Sequence, residues 1–255
     1  MQTPESVLKQ YWGYTQFRSP QDDIIHSVLN GNDTLAILPT GGGKSVCFQV
    51  PALIKEGVCL VITPLIALMQ DQVKQLKDRG ISAVAIHSGL SRREIDILLD
   101  NCIYGQVKFL YLSPERLQTE LFKERFKKMK VSLVAIDEAH CISQWGYDFR
   151  PPYLLIHELR EVKPAVPFIA LTASATELVR KDIITHLHLK DVSLFQKSFA
   201  RDNLSLVVRK TENKEKKLLE ILKKVPGSTI IYVRSRKATQ DVAKFLIKQR
   251  ITATF

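Results

Sequence analysis

The chain has 255 residues, of which 45% are hydrophobic, so it can bury a full core and form one or two domains. No stretch approaches the length of a membrane-spanning helix, and the N-terminus lacks a charged-then-apolar secretion signal, which together favour a soluble, cytoplasmic protein with no membrane partner. The expected location is a cytosol of bacterial type. The net charge of +11 is uneven, since residues 201–255 hold 14 basic and 5 acidic side chains; contact with a polyanion and a solvated lysine-rich helix face both remain open.

The four cysteines are far apart in the sequence and form no Cys-x-x-Cys pair. This spacing argues against both a zinc site and a disulfide framework. We therefore expect reduced thiols in the core and no zinc.

Strand-like and helix-like runs alternate through residues 1–200, which is typical of a parallel sheet covered by helices on both faces. The predicted strands are Thr34–Ile37, Val58–Ile62, Val84–Ile86, Lys108–Leu112, Leu133–Ile136 and Phe168–Leu171. Helices are predicted to begin near Lys44, Leu65, Ser91, Glu115 and Tyr153. The pair Ser91 and Glu94 has the spacing of a capping box.

The alternation pauses around Phe195 to Asn203, and a second unit begins near residue 201. Its predicted elements are a strand at Leu204–Arg209, a helix at Lys214–Lys224, a strand at Thr229–Val233, a helix at Lys237–Gln249 and the start of a strand at Ile251. Two such units cannot complete a doubly wound sheet. We therefore predict a first domain over residues 1–200 and the truncated beginning of a second over residues 201–255.

A glycine-rich turn joins the first predicted strand to the helix that follows. It reads Leu-Pro-Thr-Gly-Gly-Gly-Lys-Ser from Leu38 to Ser45. Its backbone N–H groups and the helix dipole can cradle phosphates, Lys44 can reach the β- and γ-phosphates, and the Ser45 hydroxyl can ligate magnesium. The usual pattern has glycine at the position of Leu38, and a turn that binds nothing is the alternative. The predicted nucleotide contacts are Thr40, Gly41, Gly42, Gly43, Lys44 and Ser45.

An acidic pair follows the predicted strand that ends at Ile136. Asp137 is placed to hold magnesium and Glu138 to activate the attacking water, because the carboxyl ends of parallel strands share one edge of the sheet. His140 either couples the nucleotide to residues 171–176 through a hydrogen bond or is a structural histidine. The predicted catalytic residues are Lys44, Asp137, Glu138 and His140.

The next segment, residues 141–153, crowds four aromatic side chains and an arginine into one loop. Trp145 and Phe149 offer faces on which single-stranded bases can stack, and Arg150 can add a phosphate or cation–π contact. The alternative is a hydrophobic cluster that packs Trp145 and Phe149 inside the domain.

These motifs together resemble superfamily 2 helicases, and the RecQ family of DNA helicases in particular. The segment Tyr14–Gln21 resembles the family's adenine-recognition motif, residues 61–72 resemble motif Ia, residues 110–117 motif Ib, residues 171–176 motif III and residues 229–236 motif IV. The chain departs from many relatives at Tyr147, where they carry histidine. By this resemblance the base contacts are Tyr14, Arg18 and Gln21, and the DNA-binding or coupling residues are Trp145, Phe149, Arg150, Thr172, Ser174 and Arg234.

The resemblance implies a RecA-like domain of the P-loop NTPase type, followed by the start of a second RecA-like domain. It also implies ATP and Mg²⁺ as cofactors, single-stranded and partly duplex DNA as partners, and 3′-to-5′ unwinding in recombination and repair. Motifs V and VI and the arginine finger of the C-terminal helicase domain, needed in cis, are absent from these residues. We therefore expect binding of ATP and DNA but defective unwinding. An RNA helicase and a binding fragment without turnover are the alternatives.

Overall fold

A computed structural model of the chain describes residues 2–146, 148–198 and 204–255. The chain forms two compact units, residues 1–200 and residues 201–255. Tyr147 and the junction predicted between residues 200 and 201 lie outside the described residues.

The first unit is built on a parallel seven-stranded sheet, within the residues that the structure describes. The strands are β1 (Thr34–Ile37), β2 (Val58–Ile62), β3 (Ala83–Ile86), β4 (Phe109–Leu112), β5 (Val131–Ile136), β6 (Phe168–Thr172) and β7 (Ser193–Gln196). Their order across the sheet is β3-β4-β2-β5-β6-β1-β7. The predicted parallel α/β fold is therefore confirmed. Strand β7 was not predicted: Phe195 pairs with Ala36 in it, so the alternation of elements continues through Gln196.

Helices lie between the strands. They are α1 (Pro4–Trp12), α2 (Gln21–Leu29), α3 (Lys44–Ile54), α4 (Ile66–Asp78), α5 (Arg92–Tyr104), α6 (Glu120–Lys128), α7 (Glu158–Val162) and α8 (Glu177–His186), with 3₁₀ turns at Pro114–Gln118, Ala139–Ile142 and Pro151–Leu155. The predicted capping box is confirmed. The backbone N–H of Ser91 donates to Glu94 Oε2 at 2.8 Å, and the N–H of Glu94 donates to Ser91 Oγ at 3.3 Å.

Alternate residues of strands β1 to β6 feed two hydrophobic cores, one on each face of the sheet. In β1, Leu35 and Ile37 join one core, while Ala36 and the following Leu38 join the other. This alternation follows from the two-residue side-chain period of a strand. The four cysteines are all buried and free, as expected, and burial raises the pKa of the Cys47 thiol to about 12.

Asp33 joins several elements at the amino edge of the sheet, just before β1. Its carboxylate accepts hydrogen bonds from Arg160 Nη2 at 2.7 Å, from the N–H of Phe168 at 2.9 Å and from the N–H of Lys190 at 2.7 Å. Its carbonyl accepts from the N–H of Ser193 at 2.9 Å. The Asp33 side chain thereby links the amino ends of β1 and β6 to α7, and the Asp33 backbone links β1 to β7.

The second unit contains helices α9 (Lys214–Lys224) and α10 (Arg236–Lys248), close to the predicted bounds. Asn213 and Ser235 cap them, accepting from the N–H groups of Lys216 and Ala238. The strands predicted at Leu204–Arg209, Thr229–Val233 and from Ile251 are wrong: within the described residues no ladder pairs them. A helix closes its hydrogen bonds internally, whereas a strand forms only when another strand accepts and donates beside it.

None of the helices in the described ranges combines the length and apolar character that crossing a bilayer requires. The same ranges hold no group of three or more His, Cys, Asp or Glu side chains arranged to share a metal ion.

Candidate functional site

The candidate site lies at the carboxyl edge of the sheet, where β1, β5 and β6 end side by side. Strand β6 lies between the other two, so the glycine-rich turn after β1 and the acidic pair after β5 are two strands apart. The N–H of Leu38 donates to the carbonyl of Thr172 at 3.0 Å, which joins the start of the turn to the end of β6. Three segments that are far apart in the sequence thereby meet at one edge.

The turn after β1 has the backbone that a phosphate loop requires. Gly43 precedes α3 with φ at 73°, in the left-handed region that favours glycine. At Gly42 a Cβ would lie 2.8 Å from the carbonyl oxygen of Pro39, so a larger residue would clash. Leu38 is buried in a core, so this turn folds without a glycine at that position. Lys44 and Ser45 open α3, at the positive end of its dipole.

Gln21 is hydrogen-bonded to the backbone of the glycine-rich turn. Its Nε2 donates to the carbonyl oxygens of Gly42 and Gly43 at 3.1 and 3.2 Å, and its Oε1 accepts from the N–H of Arg18 at 2.9 Å. Both amide hydrogens are therefore engaged within the chain, and one lone pair of Oε1 is left for a base. Its role toward adenine stays a prediction, while its bonding to the loop was missed by sequence reasoning. Tyr14 and Arg18, the other predicted base contacts, have exposed side chains nearby in the sequence.

Asp137 is a buried carboxylate that lacks a balancing ion pair in the described structure. It accepts from the N–H of Glu138 at 3.0 Å, and Tyr153 donates its hydroxyl to the Asp137 carbonyl at 3.0 Å. Burial, followed by the charge of Glu138, raises the pKa of Asp137 to about 6, although Lys44 acts in the opposite direction. The ammonium of Lys44 also lowers the pKa of Glu138. Lys44 therefore lies close enough to influence both carboxylates.

Glu138, His140 and Thr172 form a continuous contact between β5 and β6. His140 Nδ1 lies 3.2 Å from Glu138 Oε2 and 2.9 Å from Thr172 Oγ1. The Thr172 hydroxyl donates to the carbonyl of Ser174, so it accepts from His140, and Nδ1 carries the proton. The hydrogen bond from His140 lowers the pKa of Glu138 and so favours its ionised form. Glu138 has a left-handed backbone, with φ at 48°.

The donor set at this edge fits a magnesium ion. Ser45 offers a hydroxyl and Asp137 a carboxylate, and Mg²⁺ prefers oxygen ligands of these two kinds. The raised pKa of Asp137 marks a negative charge that a cation would stabilise.

The aromatic loop is anchored at its ends and open at its tryptophan. Ser143 Oγ donates to Asp182 Oδ2 at 2.6 Å and accepts from the N–H of Trp145 at 3.1 Å. Arg150 donates to Asp148 and, through Nη1, to the carbonyl of Pro64 at 3.0 Å. The Trp145 side chain nevertheless keeps 74% of its surface exposed. Internal packing of Trp145 is thus excluded, although Phe149 is half-buried.

The remaining predicted residues lie in the turn after β1, after β6 and in the second unit. Thr40 and Gly41 form the exposed tip of the phosphate loop, and Ser174 donates its N–H to Thr172 Oγ1 at 3.2 Å. Arg234 belongs to the second unit, where its side chain is exposed just before α10. Sequence reasoning included Gln72, Tyr111 and Tyr153 in motif segments but assigned none of them an individual role. A signal existed for Tyr111 and Tyr153, because a hydroxyl in an apolar run must find a partner when it is buried.

Residues 18–182 match the DEAD/DEAH box helicase family, and the chain belongs to this family. It is 42% identical over 243 residues to the probable ATP-dependent DNA helicase RecS of Bacillus subtilis, a match that covers 94% of this chain and 49% of that protein. It is 41% identical over 252 residues to the ATP-dependent DNA helicase RecQ of Haemophilus influenzae, covering 98% of this chain and 41% of that protein. The resemblance to RecQ is therefore confirmed, and the chain spans less than half the length of these relatives.

The fold also has counterparts among solved structures. The helicase MrfA, a DUF1998 protein crystallised with DNA and AMPPNP, superposes with a TM-score of 0.74 at 17% identity. The match covers 97% of this chain and 38% of that one. At this identity the likeness shows the fold alone, which is that of RecA-like helicase domains.

Proposed function

We propose that this chain is the ATP- and DNA-binding part of an ATP-dependent DNA helicase, with 3′-to-5′ unwinding in recombination and repair as the activity of the whole protein. The observation that carries the proposal is that the turn bearing Lys44 and the strand end bearing Asp137 and Glu138 lie at the same edge of the sheet, and that an exposed Trp145 lies in the loop that follows. The acidic pair proposed for the nucleotide site and the side chain proposed to stack on bases thus both follow strand β5.

Each group at the edge has a defined task in this proposal. The amides of residues 41–45 and the Lys44 ammonium bind the phosphates, and Gln21 holds the loop in shape. Glu138, kept ionised by His140, accepts a proton from the attacking water. Magnesium bound by Ser45 and Asp137 would neutralise phosphate charge.

The bond between His140 and Thr172 supports a route from the nucleotide to the DNA side. Thr172 ends β6 and contacts Ser174, and both are predicted coupling residues. On the other side Arg150 joins the aromatic loop to Pro64, at the start of the segment that resembles motif Ia. We propose that DNA stacked on Trp145 biases these contacts and thereby speeds ATP hydrolysis.

Strand separation is proposed to need sequence beyond these 255 residues, because the relatives are more than twice as long as the stretch they share with this chain. An arginine finger from another domain is worth a factor of about 10³–10⁵ in related enzymes. The chain alone should therefore bind without unwinding, and rapid separation of a forked duplex by it would contradict this part.

The test measures two affinities of the same purified chain. One is for a fluorescent ATP analogue with Mg²⁺, and the other is for labelled oligothymidine, measured by anisotropy. Lys44→Ala should weaken nucleotide binding by about 1.5–3 kcal/mol, the value of a charged hydrogen bond, and leave DNA binding intact. Lys9→Ala, on the exposed face of α1, is the control and should change neither. Nucleotide binding unaltered in Lys44→Ala would overturn the proposal. Tighter binding of an RNA of matched sequence would favour an RNA helicase.

A further inference from the structure

Ser143, just before the exposed tryptophan, has a hydrogen-bond partner for each of its polar atoms. The residue is fully buried. Its N–H donates to the carbonyl of His140 at 3.2 Å, and its carbonyl accepts from the N–H of Gly146 at 3.0 Å. Its hydroxyl accepts from the N–H of Trp145 at 3.1 Å and donates to Asp182 Oδ2 at 2.6 Å. Three of these bonds lie within the loop, and the fourth joins the loop to α8, 39 residues further along the chain.

The chemistry of these groups gives the bonds one direction. A carboxylate only accepts, so the single hydrogen of the Ser143 hydroxyl goes to Asp182, and the oxygen is left to accept from Trp145. The distance of 2.6 Å is that of a charge-assisted hydrogen bond, which is about twice as strong as a neutral one. The carboxylate thereby fixes the side-chain rotamer of Ser143 and, with it, the oxygen that holds the backbone of Trp145.

The backbone around the tryptophan is tightly packed at Gly146. A Cβ at this position would clash with the carbonyl oxygen of His140 and would lie 3.1 Å from that of Ser143. The peptide groups on both sides of the indole are bonded to Ser143, through the N–H groups of Trp145 and Gly146. The open position of the indole therefore follows from how Ser143 is held.

Helix α8, which carries Asp182, is also joined to the acidic pair. It begins directly after residues 171–176, and Thr172 of that segment bonds to His140 at 2.9 Å. The contact of Thr172 lies next to the acidic pair in the sequence, and the contact of Asp182 lies next to the tryptophan. Because a helix is a rigid element, α8 can transmit a shift from the first contact to the second.

We propose that Asp182 is a positioning residue for the aromatic loop, whose carboxylate orients the Ser143 hydroxyl and so holds Trp145 open for a base to stack. The inference rests on the proposed function, since it concerns DNA stacked on Trp145. The same bond makes α8 the element through which the segment 171–176 and the tryptophan move together. Without the carboxylate the Ser143 hydroxyl can rotate, and the loop samples positions in which the indole is turned away from DNA.

The experiment uses Asp182→Ala, which removes the acceptor and favours the helix. Binding of labelled oligothymidine to the full chain is measured by anisotropy. The affinity should fall about threefold to tenfold, within the range found for residues that act through others. The sign of the change is informative, because loss of a negative charge by itself strengthens binding to a polyanion.

The same substitution is then made in a Trp145→Ala background. Because Asp182 is proposed to act only through Trp145, the double variant should bind DNA as Trp145→Ala does. Asp182→Asn keeps an oxygen that accepts from Ser143 and should recover most of the wild-type affinity. A purely structural role would lower the affinity in both backgrounds alike.

The matched control is Glu177→Ala, which removes a carboxylate from the same helix. Glu177 pairs at the surface with Lys181, 3.0 Å away. DNA affinity in this control should stay at the wild-type value or rise slightly, and nucleotide affinity should not change in any of the Asp182 or Glu177 variants. Thermal unfolding of every variant records whether the fold is retained. If Asp182→Ala does not fold, Asp182→Leu, which keeps more of the side-chain volume, takes its place.

Wild-type DNA affinity in folded Asp182→Ala would overturn the inference. So would a loss of the same size in the Trp145→Ala background, because Asp182 would then act independently of the tryptophan. If the wild-type chain bound no DNA, or if Trp145→Ala had no effect, the proposed function itself would fail, and the inference with it. A failure of Asp182 alone leaves both of those results intact, so the two failures are distinguishable.

Discussion

Each edge of the sheet has a buried aspartate, and the surroundings of the two carboxylates are opposite. Asp33, 4% exposed, accepts from an arginine and two backbone N–H groups at the amino edge. Asp137, 7% exposed, stands beside the like charge of Glu138 at the carboxyl edge, and its pKa is raised. A carboxylate whose charge is paired and hydrogen-bonded fixes the strand ends, whereas a buried carboxylate without an ion pair can bind a cation. One edge therefore serves stability, and the other is the one proposed to bind magnesium and nucleotide.

The largest expected effect is at the amino edge. Asp33→Ala should lower the free energy of unfolding by about 3–5 kcal/mol, because it leaves Arg160 buried without its carboxylate partner. The measurement is chemical denaturation, with nucleotide affinity measured on the protein that stays folded.

The control is Asp96→Ala, which also removes an aspartate–arginine pair. Its partner Arg125 lies at the surface, 2.6 Å away, and such pairs contribute about 1 kcal/mol or less. Equal losses in the two variants would remove the distinction between buried and exposed pairs. A loss of nucleotide affinity in folded Asp33→Ala would break the division between the two edges.

The next effect is at the aromatic loop. Trp145→Ala should weaken binding of single-stranded DNA by about 1–3 kcal/mol, the value of stacking one base on an aromatic ring. Thermal stability and nucleotide binding should not change, because the indole is exposed and the loop is anchored through Ser143 and Arg150.

Tyr104→Ala is the matched control, since Tyr104 is an equally exposed aromatic at 77%. It should leave DNA binding unchanged. If Trp145→Ala lowered stability and nucleotide affinity as much as DNA affinity, the loop would serve packing and not recognition.

The smallest effect is on pH dependence. Magnesium requires ionised Asp137, so the apparent affinity for Mg²⁺ with nucleotide should fall to about half near pH 6 and decrease further below it.

The free energy of unfolding should depend on pH in the opposite direction. The folded pKa of about 6 exceeds the ordinary value of 3.8, so the folded state gains stability from this group as pH falls from 7 toward 4. Asp137→Asn should remove both dependences, and their persistence would assign them to another group.

The fold of the first unit could be read from sequence where strands are buried on both faces. The runs Val58–Ile62 and Phe168–Leu171 are continuous apolar segments, and both became central strands. Strand β7 was missed because it lies at the edge of the sheet beside β1 and alternates exposed residues with half-buried ones. In the second unit both helices were predicted close to their observed bounds, because the hydrogen bonds and caps of a helix are local. The strands there were wrong, and Leu206 and Val208 are 98% exposed.

The site shows the same division between local and distant information. Motifs identified Lys44, Asp137 and Trp145 because their chemistry depends on short spacings. The partners of these groups could not be found in this way. Tyr111 bonds to residues 39 and 62 positions away, and Asp33 to one 127 positions away. Such pairs are set by the packing of the sheet. The composition of the aromatic loop favoured stacking but left packing open, and the exposure of Trp145 excludes packing for that side chain.

The open position of Trp145 also has a spectroscopic consequence. The chain has two tryptophans, and the other, Trp12, is partly shielded with the Arg79 guanidinium 6.0 Å from its ring. Their emission should therefore differ in wavelength and in access to a soluble quencher. A Trp12→Phe background would leave one indole, at the loop where DNA is proposed to stack, as an intrinsic fluorophore. Occupancy of that loop would then be visible in the unlabelled protein.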